Sequence, residues 1–151
     1  MFNDLLVQSK APVFFTGAGI STDSGIPDFR GPKGIWKTSQ PIYFQDFISS
    51  KEKRIESWER KFSNELNIDK AKPNKGHQKI AEIMKIKDLS HLITQNVDNL
   101  HQESGINDDK ITELHGNATY AKCLECSLRY DLTQLKESFL KTKEPPLCKE
   151  C

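Results

Sequence analysis

Three short apolar runs that end in turn residues, a glycine turn and two close cysteine pairs predict an α/β fold. The runs are VFFTG from Val13, LSHLITQN from Leu89 and ITELHGN from Ile111. Helix signals stand between them, and the alternation fits a parallel sheet. The expected architecture is a partial Rossmann-like parallel sheet with a helical insertion and a small cysteine-rich module. A chain of 151 residues has room for one core and little for two independent lobes.

Residues 4–9 read as a short amphipathic helix leading into Pro12. VFFTG reads as a buried strand, β-branched and aromatic and ended by glycine. A helix is expected to begin over Ile20–Ser24, just after Gly17-Ala18-Gly19. From Gly31 to Pro73 the pattern changes: proline, glycine and aromatic residues give way to a charged helix over Lys53–Leu66. This segment, 32–73, reads as an insertion packed on the core. Pro73-Asn74 then supplies a stop and a cap for a second helix, with Ile80, Ile83, Met84 and Lys87 at helical spacing. LSHLITQN is a further buried strand, VDNLHQESG a turn with a short helix, and ITELHGN a strand with a glycine turn. The expected division is 1–31 and 74–120 for the core, 32–73 for the insertion and 121–151 for the cysteine module.

Charge narrows the function classes. Lys and Arg number 22 against 21 Asp and Glu, a formal charge of +1, which argues against a dedicated nucleic-acid surface. No basic start with a long apolar core opens the chain and no run reaches membrane-spanning length, so a cytoplasmic location is expected.

The cysteines carry the strongest signal. Cys123 and Cys126 are followed, after 21 residues, by Cys148 and Cys151. Paired cysteines at this spacing place four thiolates around one Zn²⁺, making 121–151 a zinc-ribbon module. Four protein ligands leave no open position, so the metal would be structural. The intervening length is absorbed by a helix over Leu132–Leu140.

The other motifs each leave two readings. Gly17-Ala18-Gly19 is either a tight strand–helix connection or a phosphate cradle. Ser21, Thr22 and Ser24 beside a helix N-terminus, and Arg30 further on, favour an anion. Gln95-Asn96-Val97-Asp98 lies at a strand end, where its amides and carboxylate would bind ribose hydroxyls or a carboxamide, or would simply cap the next helix. His115 before Gly116 is either a general base or a packing residue. His77, His91 and His101 read as structural.

Together, GAGISTDSGIPDFRG, KPNKGHQKIAEI, TQNVDNLH, ELHGN and the paired cysteines resemble the successive motifs of the sirtuin family, the NAD-dependent protein deacylases. The resemblance runs from Val13 to Cys151. It implies that NAD⁺ is consumed and no hydride is transferred. The acyl oxygen of an acyl-lysine protein or peptide attacks the nicotinamide ribose, nicotinamide leaves, and hydrolysis yields lysine and O-acyl-ADP-ribose, chemistry of the transferase and hydrolase classes. His115 matches the family's general base. Ala18, Thr22, Phe29, Arg30, Gln95, Val97 and Asp98 match NAD contacts, with Asp98 accepting from the carboxamide. Asn96 and Ser21 hold the nicotinamide pocket, and Phe29 covers the reacting ribose.

Two departures shape the expectation. Trp58 and Lys61 stand nearest to a Tyr-x-x-Arg pair of deacylases that take acidic acyl groups, which favours acetyl over succinyl. No Gly-Thr-Ser turn for the adenosine half follows the cysteines, so a C-terminally truncated member is expected, with exposed strand edges and little or no deacetylation. The alternatives are a non-catalytic zinc- and nucleotide-binding remnant, or an ADP-ribosyl transferase on the same fold. Oligomeric state is not set by the sequence.

Overall fold

The computed structural model describes residues 2–32, 34–37, 39–63 and 68–151. Helix α1 (Phe2–Gln8) precedes strand β1 (Val13–Thr16). Helices α2 (Phe44–Ser49) and α3 (Lys51–Ser63) form the insertion, and α4 (Lys75–Ile86) leads into β2 (His91–Thr94). Helix α5 (Leu100–Glu103) and β3 (Ile111–Glu113) follow, then β4 (Tyr120–Lys122), β5 (Arg129–Asp131) and α6 (Leu132–Thr142). The sheet runs β1-β2-β3 with both pairs parallel, and β4-β5 is a separate antiparallel hairpin.

The parallel sheet is built on one face. Phe14 and Thr16 pair with Leu92 and Thr94, and Ala81 and Met84 of α4 pack with Leu92 and Ile106. Phe14, Ile80 and Ile111 close this cluster. The strands are not the doubly buried runs read from the sequence. Val13 and Phe15 are 61% and 62% exposed, because among the described residues only the β1 face that carries Phe14 and Thr16 meets the core. Alternation, invisible in an all-apolar run, decides which side is wet.

Local chemistry explains the other boundaries. Asn74 caps α4, accepting from the N–H groups of Gly76 (2.8 Å) and His77 (3.4 Å), while the ring of His77 returns a bond to the Asn74 N–H at 3.3 Å. This is a reciprocal cap. The expected helix over 20–24 is a 3₁₀ segment, Ala18–Ser24, closed by Gly25 at φ 85°. Its Ser, Thr and Asp residues favour local bonds over an α-helix. Thr22 Oγ1 donates to Gly19 O at 2.9 Å. The charged helix starts at Lys51 and is described to Ser63; its expected end at Leu66 lies outside the described residues. Among the described residues, no helix is long and apolar enough to cross a membrane.

Candidate active site and metal centre

All three parallel strands end at one edge of the sheet, the position where open α/β sheets hold ligands. Gln95 continues β2 by donating its N–H to Thr16 O (3.0 Å), and Leu114 continues β3 by donating to Thr94 O (2.9 Å). Their extensions carry Gln95-Asn96-Val97 and His115 into a cleft of about 370 Å³. Its opposite wall is Ala18, Asp28, Phe29, Arg30 and Trp36. Seven sequence-derived candidates, Ala18, Phe29, Arg30, Gln95, Asn96, Val97 and His115, therefore meet in one space.

The wall of Asp28, Phe29, Arg30 and Trp36 is tied to itself. Gly31 N–H donates to Asp28 Oδ1 (3.0 Å), Ile35 N–H to Asp28 O (3.0 Å) and Trp36 N–H to Phe29 O (3.2 Å). The Phe29 and Trp36 rings pack 5.4 Å apart, and the Arg30 guanidinium lies 4.4 Å from the Trp36 ring centroid. This cation–π contact holds a positive charge beside the cleft. Asp28 and Trp36 join the cleft without being among the sequence-derived site candidates; only the Pro-Asp-Phe-Arg cluster and an aromatic after a glycine turn point to them. His115 is exposed and has no side-chain hydrogen bond among the described residues. Gly116 behind it takes φ 77°, a left-handed turn that glycine adopts freely.

Ser21 and Asp98 lie beneath the cleft instead of on its surface. Ser21 Oγ donates to Asp98 Oδ2 at 2.6 Å, and Leu100 N–H donates to Asp98 Oδ1 at 3.1 Å. Asn96 Nδ2 donates to Ser21 Oγ and to Gly17 O, both at 3.2 Å. The glycine loop and the second strand end are thus cross-linked. Gly17 and Gly19 have no left-handed φ and no chain atom crowding them under 4.0 Å, while Thr22 is exposed on the outer side of the loop.

Two of the three histidines read as structural, His77 and His101, complete this floor. His101 Nε2 contacts Thr16 Oγ1 at 3.0 Å, and Thr16 Oγ1 donates to Thr94 Oγ1 at 2.9 Å. Since the threonine hydroxyl is the donor to Thr94, His101 supplies its Nε2–H. Thr94 Oγ1 also accepts from Asn96 N–H at 3.0 Å. The His77 ring lies 4.8 Å from His101. Burial, with His77 adding to it, pushes the His101 imidazole down to about 4, and its Nδ1 has no hydrogen-bond partner among the described residues. Burial also lowers His77, against the opposing pull of Asp98. Burial thus favours the neutral form of both rings. Trp58 and Lys61 do not reach the cleft: Trp58 faces a cavity against the hairpin, and Lys61 one that includes Asp98.

The second centre is the hairpin. The sulfur atoms of Cys123, Cys126, Cys148 and Cys151 all lie within 4.8 Å of one another. The Cys123–Cys151 and Cys126–Cys148 separations are 3.6 Å. Metal–sulfur bonds of 2.3 Å in a tetrahedron set the sulfurs about 3.8 Å apart, so this cluster fits a Zn²⁺ tetrathiolate. Two of the thiols come from the β4–β5 turn, where Cys123 N–H donates to Leu128 O (2.9 Å) and Ser127 takes φ 64°.

The Sir2 family model matches residues 17–151. An NAD-dependent protein deacetylase of Rhodopseudomonas palustris is 45% identical over 148 residues, covering 98% of this chain and 58% of the relative. A solved structure described as Sir2 with p53 peptide and NAD⁺ is similar with a TM-score of 0.77 at 39% identity, covering 99% of this chain and 58% of that one. Another, described as Sir2 bound to acetylated peptide, gives 0.77 at 36% identity with the same coverage. The chain spans a little under three fifths of the length of these proteins.

Proposed function

The chain belongs to the Sir2 family, and from that premise we propose that it serves NAD-dependent protein-lysine deacetylation, with NAD⁺ as co-substrate and a structural Zn²⁺. The observation that carries this reading is the meeting of Phe29-Arg30, Gln95-Asn96-Val97 and His115 in one cleft at the ends of parallel strands. NAD⁺ supplies the ribose carbon that gives up nicotinamide and takes up the acyl oxygen. An imidazole nitrogen of His115 then accepts the proton of a ribose hydroxyl. Phe29 and Trp36 shield the reacting face from water. Arg30 lies against the pyrophosphate, and the open space at Gly17, Ala18 and Gly19 admits it close to the backbone, with Thr22 at the rim. Gln95 and Val97 contact the ribose and the ring. Asn96, Ser21 and Asp98 form the floor that receives the carboxamide, since each Asp98 oxygen keeps acceptor capacity beyond its one bond.

In this reading 1–31 and 74–120 are the nucleotide-binding core, 32–73 the loop insertion and 121–151 the zinc module. Cys123, Cys126, Cys148 and Cys151 hold the metal, which takes no part in the reaction. A cytoplasmic location belongs to the same proposal, because four thiolates require a reducing compartment. The partner is an acyl-lysine protein or peptide, as supported by the similar structure with acetylated peptide.

The test incubates the protein with an acetyl-lysine peptide, with and without NAD⁺, and follows nicotinamide and peptide by mass spectrometry. For these 151 residues the reading expects little turnover, with one nicotinamide per lysine freed and none in His115→Ala. Deacetylation without NAD⁺, or turnover unchanged in His115→Ala, would overturn it. Binding of NAD⁺ without any turnover would favour the binding-module alternative.

A further inference from the structure

The four thiols are not equivalent in what surrounds them. Cys148 Sγ lies 3.0 Å from the hydroxyl of Tyr130, and Glu150 N–H donates to the same sulfur at 3.4 Å. The Tyr130 oxygen itself accepts the Lys149 N–H at 2.9 Å. A metal-bound cysteine is a thiolate with no proton of its own. The bond to Cys148 therefore runs one way, from the phenol O–H to the sulfur. Among the described residues, Tyr130 is the side chain outside the cysteines that donates to one of them. It also spans two parts of the module, since Tyr130 belongs to β5 and Cys148 to the loop after α6.

We infer that Tyr130 is a positioning residue for the metal centre, its hydroxyl orienting the Cys148 thiolate and joining the second cysteine pair to the hairpin. The inference rests on the zinc reading above. Donation to a ligand sulfur draws charge from it, steadies its orientation and slows its loss to competitors. Removing the hydroxyl leaves the ring in place against the cavity wall it shares with Leu135 and Pro146.

The experiment compares the zinc-loaded protein with Tyr130→Phe and, as a control, Tyr120→Phe. Tyr120 sits in the same hairpin, but its hydroxyl donates to Glu113 Oε2 at 3.0 Å and not to a sulfur. Metal affinity is read by chelator competition, and the centre is also loaded with Co²⁺ for its thiolate-to-metal charge-transfer band. Tyr130→Phe is expected to bind one zinc with an affinity lower by about 10-fold or more. Its Co²⁺ charge-transfer band is expected to move to longer wavelength, because a sulfur stripped of a donor holds its electrons less tightly. Tyr120→Phe should move neither readout. Equal affinity and an unshifted band in Tyr130→Phe, or equal losses in both variants, would overturn the inference. Wild-type protein that folds without binding zinc would instead overturn the zinc reading beneath it.

Discussion

Acidification should loosen the floor of the cleft through His101. The residue is 1% exposed, its ring lies 4.8 Å from His77 and its Nδ1 has no hydrogen-bond partner among the described residues. A proton on that nitrogen would bring a buried charge with no acceptor. The folded-state value is about 4 against 6.5 for the free side chain. Between these values the unfolded chain binds more protons than the folded one, so stability rises with pH. It is fully present above pH 6.5 and is lost as pH falls toward 4. The linkage relation gives a loss of about 2 kcal/mol between pH 7 and 5, and about 3 kcal/mol by pH 4. His77, lowered by the same burial, acts in the same direction. His101→Phe removes this titration while keeping a planar ring. Urea unfolding of both proteins at pH 7 and pH 5 isolates the effect, because the surface carboxylates cancel in the comparison. Wild type should lose about 2 kcal/mol more than the variant over this range. A difference below about 0.5 kcal/mol would refute the claim that His101 is held neutral by burial.

Three further perturbations follow from specific contacts. A Cβ on Gly34 would lie 2.5 Å from Phe29 O and 2.6 Å from its carbonyl carbon. Gly34→Ala should therefore displace the wall of Asp28, Phe29 and Trp36, at a cost of about 1–3 kcal/mol, visible as a lower Tm and altered Trp36 fluorescence. Asn74→Ala removes the α4 cap and the bonds from Asn74 Nδ2 to Ile20 O (2.7 Å) and Ser24 Oγ (3.0 Å). A loss of about 2 kcal/mol in denaturant unfolding is expected, and a loss near zero would contradict the cap's double role. Chelation should raise amide exchange at Lys122 and Arg129 of the hairpin, while the Leu92 and Ile93 amides of the central strand keep their protection.

The sequence exposed those parts of the fold that depend on local chemistry. Asn74 announces the start of α4 because a side-chain cap is written in adjacent residues. The cysteine pairs announce their cluster because spacing alone brings two thiols together. Sidedness was not legible in VFFTG, where four apolar or β-branched residues give no alternation to show that Val13 and Phe15 face outward. The β4–β5 hairpin was missed because each strand is three residues long, too short for a period to register. The bond between Ser21 and Asp98 and the burial of both are set by strands and loops far apart in the chain, so no residue pattern shows them. The place of Trp36 and Asp28 in the cleft is not legible in sequence because it arises from a loop folding back on itself through Gly34. Such closure depends on space around a Cα, which no residue pattern records.

The account stands most directly on where the nucleotide sits. A crystal structure of the protein with a non-hydrolysable NAD⁺ analogue and an acetyl-lysine peptide would measure this. The nicotinamide is expected over Asn96 and Asp98, the pyrophosphate beside Arg30, and a ribose hydroxyl within hydrogen-bond reach of His115. A nucleotide seated elsewhere, such as the cavity between α3 and the hairpin lined by Trp58 and Leu147, would contradict it.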